Sequence, residues 1–141
     1  MGYVNLENIK IRKLHEISVQ GGNVVKGIKS SDANFYGFGE MYFSIINCNF
    51  IKAWKKHKIM TMNLVVIRGT VKFVFSTENQ SFFREEILNQ DDFSIITIPP
   101  NVWFGFQGLC EPSSIIMNCA SIEHDPDEVE RLDKKLIKYK W

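Results

Sequence analysis

Lys55 and His57 lie two residues apart in a β-rich run, so a strand would turn both to one face, with Ala53 beside them. On that reading Lys52, Trp54, Lys56 and Lys58 face the other way. If the first face looks into an enclosed space, it carries an amine and an imidazole. Burial and a neighbouring cation both lower a lysine pKa, which makes Lys55 a candidate base beside His57. The competing reading is a solvated basic edge strand whose lysines discourage pairing with other chains. Glu40 and Tyr42 are also two apart on one strand, and Tyr42 offers a hydroxyl as acid. His124 precedes Asp125 and is a second acid candidate. Lys52, Lys56, Lys58 and Arg68 could neutralise a diphosphate. Asn63 and Asn118 interrupt apolar strands; a buried amide needs partners, and a ligand or the core can supply them. Trp54 and Trp103 can stack on a base or a sugar, although core packing is their commoner use.

A metal site has little support. The chain has His15, His57 and His124 without any His-x-His pair. Glu40, His57 and His124 are the one set that could offer a facial arrangement of ligands, so neither metal nor cofactor is expected. There is no glycine-rich phosphate loop and no nucleophile elbow.

The elements that must position these residues are strands. Runs rich in Val, Ile, Phe and Tyr at 23–29, 39–46, 50–57, 62–75, 81–88, 93–98, 102–106 and 114–121 are separated by turn signals. Gly69 interrupts the longest run and marks a bulge or a break into two strands. Close spacing of short strands implies a sandwich or barrel. Only the tail has helical signals: Asp125 as cap, Pro126 at the first position, and Asp127 and Glu128 in the first turn.

The strings Gly39–Ser44 (GEMYFS), Ile51–Lys58 (IKAWKKHK), Asn63–Gly69 (NLVVIRG), Ile98–Phe106 (IPPNVWFGF) and Asp125–Glu128 (DPDE), in that order, resemble the dTDP-4-dehydrorhamnose 3,5-epimerase family and, more loosely, the sugar-nucleotide 3,4-ketoisomerases. The resemblance covers roughly residues 20 to 133. It implies an all-β cupin-type double-stranded β-helix, or jelly-roll barrel, with a short C-terminal helix. It also implies a homodimer, and a nucleotide-diphosphate sugar in the barrel mouth. The implied chemistry is proton transfer beside a 4-keto group, with a base on one sugar face and an acid on the other.

The residues depart from that family in specific places. Lys55 stands where the family has its base His. His57 matches a second His found in the ketoisomerases and shorter relatives. Phe104 follows Trp103 where relatives often carry His or Tyr, and His124 aligns best with the acid Tyr. The family's partner Asp lies in a C-terminal extension without a counterpart here. The pattern Trp54-Lys55-Lys56-His57-Lys58-Ile59-Met60-Thr61 resembles shorter relatives of unassigned chemistry.

Composition fits this picture. The chain has 141 residues, 45% hydrophobic, 13% aromatic and 23% charged, with a formal net charge of +1. That suits one globular domain over 1–141, with a core at about 20–124 and a tail at 125–141. It gives no electrostatic case for nucleic acid or membrane partners. No apolar run reaches the ~20 residues of a membrane helix. Cys48, Cys110 and Cys119 have no metal-ligand spacing and suit buried, reduced thiols, so a cytoplasmic protein is expected. The function expected is a nucleotide-sugar epimerase or ketoisomerase of surface-polysaccharide synthesis; the alternative is a non-catalytic sugar-nucleotide binding cupin.

Overall fold

The structure, a computed structural model, describes residues 6–141. Twelve strands carry it: β1 (Lys10–Lys13), β2 (His15–Ile17), β3 (Val24–Lys26), β4 (Glu40–Asn47), β5 (Ile51–His57), β6 (Met62–Arg68), β7 (Thr70–Ser76), β8 (Phe83–Asn89), β9 (Ser94–Ile98), β10 (Trp103–Gly108), β11 (Ser113–Ala120) and β12 (Val129–Arg131). They form two five-stranded antiparallel sheets, ordered β1-β9-β6-β11-β4 and β12-β5-β10-β7-β8, plus the β2-β3 hairpin. This is the expected all-β jelly-roll architecture.

Alternation builds the core between the sheets. Leu64, Val66, Ile96 and Ile116 point inward from one sheet, and Phe73, Phe75 and Phe104 from the other; all are buried in one cluster. Outward-facing Val65 and Ile95 are covered separately, with Leu14, Val25 and Ile28 packed on them. Gly69 does break the long run, separating β6 from β7. Its φ of +84° lies in the left-handed region, and an added Cβ would come within 2.2 Å of the Ser114 hydroxyl.

The tail carries less helix than expected: no α-helix forms there among the described residues. Pro126–Glu128 is a single 3₁₀ turn, β12 follows, and Lys134–Leu136 is another 3₁₀ turn. Asp125 does cap, its side chain accepting from the Asp127 N–H. The reason for the difference lies in the apolar spacing. Ile137, Tyr139 and Trp141 recur every second residue, a strand-like period, and they pack against Trp54 on the outer face of the second sheet. Val129–Arg131 meanwhile pairs with β5 and covers its edge. Strands also begin earlier than the hydrophobic pattern suggested, since β1 and β2 precede residue 20. Cys119 is buried as expected, whereas Cys48 and Cys110 are half-buried; all three are free thiols.

Candidate active site

The site is built around an irregularity in β5. Phe104 of β10 pairs with Lys55, but the next residue, Gly105, pairs with Ala53, so Trp54 is an extra residue on β5. Directly opposed residues share a face. Phe104 and Phe106 belong to the interior cluster, so their partners Lys55 and Lys52 point inward. Ala53, Trp54 and Lys56 point outward, where Trp54 joins Trp103 and Val74. His57, one pleat beyond Lys55, returns to the interior. This corrects the simple alternation, which grouped Ala53 with Lys55 and put Lys52 on the opposite face. The bulge inserts one residue and inverts the pattern on its far side.

A cavity of about 710 Å³ opens between the sheets at this point. Tyr42 and Asn118 line it from the first sheet, Lys52, Lys55, Phe104 and Phe106 from the second, and Arg131 from β12. That volume suits a ligand of nucleotide-sugar size. Its inner wall is apolar and its rim is cationic. Burial lowers the Lys55 pKa, and the neighbouring charges of Arg131 and Lys52 lower it further, against a smaller opposing influence of Glu128.

His57 adjoins this cavity and does not line it; its ring stacks on that of Phe104, 6.0 Å between centroids. Only 4% of its side chain is exposed, and Nδ1 lies 2.5 Å from Glu128 Oε1. The other carboxylate oxygen, Oε2, accepts the main-chain N–H groups of Lys58, Ile59 and Met60 at 3.2, 3.1 and 3.2 Å. Burial of His57 lowers its pKa and outweighs the raising effect of Glu128. Burial of Glu128 works upward, but the hydrogen bonds from His57, Ile59 and Met60 prevail and hold the carboxyl below its ordinary value. The consistent state is an ionised Glu128 accepting from Nδ1–H of a neutral imidazole. That leaves Nε2 as a lone-pair acceptor, and Nε2 is buried with no hydrogen-bond partner. A base with an oriented tautomer and an unused nitrogen is therefore present.

Sequence reasoning missed Glu128. The Asp-Pro-Asp-Glu string reads as a helix start, with Glu128 in its first turn. Nothing in the local sequence ties it to His57. Arg131 was missed for the same reason, because only the pairing of β12 with β5 carries it to the cavity rim.

The remaining candidates lie elsewhere. His124 is exposed, and its main-chain N–H donates to Glu40 Oε1 at 2.9 Å, which engages Glu40 away from the cavity wall. Lys58 is solvent-exposed, 3.9 Å from Glu130. Arg68 is exposed and donates to the Ser113 hydroxyl. Trp103 is in the outer cluster, with the Lys56 ammonium 5.2 Å above its ring. Asn63 is buried in a network with Asn34 and Thr97. Among the described residues no three His, Cys, Asp or Glu side chains converge as a metal would require, so Glu40, His57 and His124 do not form the facial set.

No protein-family model matches the chain, and no curated protein sequence matches it. Solved structures do. A dTDP sugar isomerase from Desulfovibrio desulfuricans G20 superposes with a TM-score of 0.86 at 29% identity, over 96% of this chain and 91% of that one. QdtA, a sugar 3,4-ketoisomerase from Thermoanaerobacterium thermosaccharolyticum solved with TDP, gives 0.79 at 19% identity, over 94% of both chains. ChmJ, a 3'-monoepimerase from Streptomyces bikiniensis solved with dTDP-quinovose, gives 0.83 at 9% identity, over 100% of this chain and 78% of that one. The neighbours are thus dTDP-sugar isomerases and epimerases, and the chain has their fold.

Proposed function

We propose that this protein is a proton-transfer isomerase acting on a nucleotide-diphosphate-linked 4-keto-6-deoxy sugar, with His57 as base. The observation that carries this is the His57–Glu128 contact, which leaves Nε2 free in a buried setting. His57 removes the proton from the carbon beside the ketone, and the C–H electron pair passes into an enolate on the keto oxygen. Glu128 stabilises the imidazolium that forms. Tyr42, reaching the cavity from the opposite sheet, returns a proton and becomes a phenolate, which the imidazolium proton makes good through solvent. Return to the same carbon from the other face gives an epimer. Transfer to the former keto carbon, with the hydroxyl proton of the deprotonated carbon passing to the former keto oxygen, gives a 3-keto isomer.

Lys52, Lys55 and Arg131 supply cations at the rim for the diphosphate, and Lys55 thereby serves binding in place of proton abstraction. The dTDP-sugar enzymes with this fold favour a thymidine nucleotide. The reaction so read belongs in the cytoplasm, in the assembly of surface polysaccharide such as lipopolysaccharide, and the active species is a homodimer. The test is solvent exchange. Purified protein incubated in D₂O with dTDP-4-keto-6-deoxyglucose should introduce deuterium beside the ketone, and His57→Asn should abolish this. Absence of exchange with several such sugars would sink the proposal. A second reading, a binding cupin without turnover, is favoured by Lys55 standing where the resembled family has its base; tight binding without exchange would select it.

A further inference from the structure

Tyr42 is not a free hydroxyl at the cavity wall; it is held by an amide whose orientation the fold dictates. Asn118, opposite Tyr42 in the β11–β4 register, is 2% exposed. One end of its amide meets the main-chain N–H of Asn63 at 3.1 Å, and the other meets the Tyr42 hydroxyl at 2.9 Å. A main-chain N–H can only donate, so the end facing Asn63 must be Oδ1. Nδ2 must then face Tyr42, and it donates. The phenol oxygen is an acceptor in that bond, so its own hydrogen points elsewhere, and the open direction is the cavity Tyr42 lines.

The anchor behind this is itself immobile. The Asn63 side chain accepts from Thr97 Oγ1 at 2.6 Å and from Asn34 Nδ2 at 3.2 Å, and donates to the Asn34 carbonyl at 3.0 Å. Asn63 and Thr97 are both buried. The β6 backbone is therefore fixed where it meets Asn118, and an amide flip would oppose two N–H donors in a dry site.

We infer that Asn118 is a positioning residue that holds Tyr42 as a proton donor and receives the phenolate left after transfer. This rests on the proton-transfer reading given above. Burial raises the Tyr42 pKa, the Asn118 bond lowers it, and Glu40 and Glu128 add to the raising side. Lys52, Lys55 and Arg131 are the cations on the same cavity.

Two replacements test it. Asn118→Asp substitutes an acceptor for the donor, so the Tyr42 hydrogen turns back toward the carboxylate; Asn118→Leu removes the bond with similar volume. In free protein, phenolate absorbance corrected with Tyr42→Phe should show the Tyr42 titration moving up in both variants, further in Asp. With a 4-keto sugar in D₂O, the ratio of product formed to deuterium exchanged should fall about 10-fold or more, because the His57 step survives and the Tyr42 step does not. An unmoved Tyr42 titration overturns the inference. So does an unchanged ratio, with exchange and product falling together as lost packing would make them. The titration uses no sugar, so it judges Asn118 even if wild-type protein exchanges nothing and the proposed activity fails.

Discussion

His57 and Glu128 are 71 residues apart in the chain and 2.5 Å apart in the fold. The bond spans from the end of β5 to the turn that starts the tail, so the orientation of the His57 ring and the docking of the tail are one structural event. Glu128→Gln preserves size but offers no full charge to the imidazolium and can present its amide nitrogen to Nδ1, favouring the wrong tautomer. Deuterium exchange into the sugar should fall by about 100-fold or more, with nucleotide affinity nearly unchanged. A variant that exchanges at the wild-type rate would remove Glu128 from the mechanism.

The pair also sets a pH dependence. Burial holds the folded His57 pKa below its ordinary 6.5, so on acidification the unfolded chain takes up a proton that the native imidazole refuses. Stability present above pH 6.5 is then lost as pH falls toward the native value. Glu128, held below its ordinary 4.5, adds a second loss below that pH. Thermal midpoints should drop between pH 6.5 and 4.5, and His57→Gln should flatten that part of the curve. For kcat/KM, the acid limb of the pH profile should lie below 6.5, where the base becomes protonated. A limb at or above 6.5 would contradict a neutral buried His57.

The strands and the shared face of Lys55 and His57 are legible because alternation is local; that this face looks inward is not, since a solvated edge strand gives the same pattern. β4 to β11 lie where Val, Ile, Phe and Tyr runs placed them, and Gly69 marked a real break. The side of Lys52 was not legible, because nothing local announces that Trp54 is an extra residue; the register against Gly105 decides it. The tail failed for another reason. Asp125 and Pro126 are true start signals, but they start one turn, since Val129–Arg131 gains more by pairing with β5 than by continuing a helix. Glu128 and Arg131 were invisible as site residues because only the docking of the tail on β5 brings Glu128 to His57 and Arg131 to the cavity.

Arg131 tests the cationic rim. It is exposed, pairs with Lys55 through the backbone and lines the cavity mouth. Arg131→Ala keeps the ladder and removes one charge-assisted contact to a diphosphate, a change worth about 10-fold in affinity. Calorimetry with dTDP should show that loss, and less salt dependence than wild type. It should also release Lys55 from a like charge, so the Lys55 titration rises. Unaltered dTDP affinity would move the diphosphate elsewhere.

The outer face of the edge strand β4 carries the case for a dimer. Met41, Phe43 and Ile45 are 51%, 54% and 58% exposed, and in register they adjoin Cys119, Met117 and Ile115 on β11. Such a contiguous apolar surface is costly in water, and a second copy can cover it symmetrically. Light scattering should give a dimer mass for wild type and a monomer for Phe43→Glu/Ile45→Lys. A wild-type monomer at tens of micromolar concentration would rule this out.

Gly105 joins the bulge to the tail through space alone. A Cβ there would stand 2.6 Å from the Ala53 Cβ and 3.0 Å from the Trp141 ring. Ala53 is its direct cross-strand partner and cannot yield without moving β5; Trp141 is wedged against Trp54 and Tyr139. Gly105→Ala should therefore cost about 1–3 kcal/mol by overpacking and lower the thermal midpoint. Because Trp141 is the more movable neighbour, strain should pass into the tail that also bears Glu128. Exchange activity should then fall although no cavity residue has changed. Adding Trp141→Ala relieves one of the two contacts and leaves the Ala53 contact, so it should restore part of the activity while stability stays low. If Gly105→Ala left both the thermal midpoint and the activity intact, tail docking and the geometry of the His57–Glu128 pair would not be coupled.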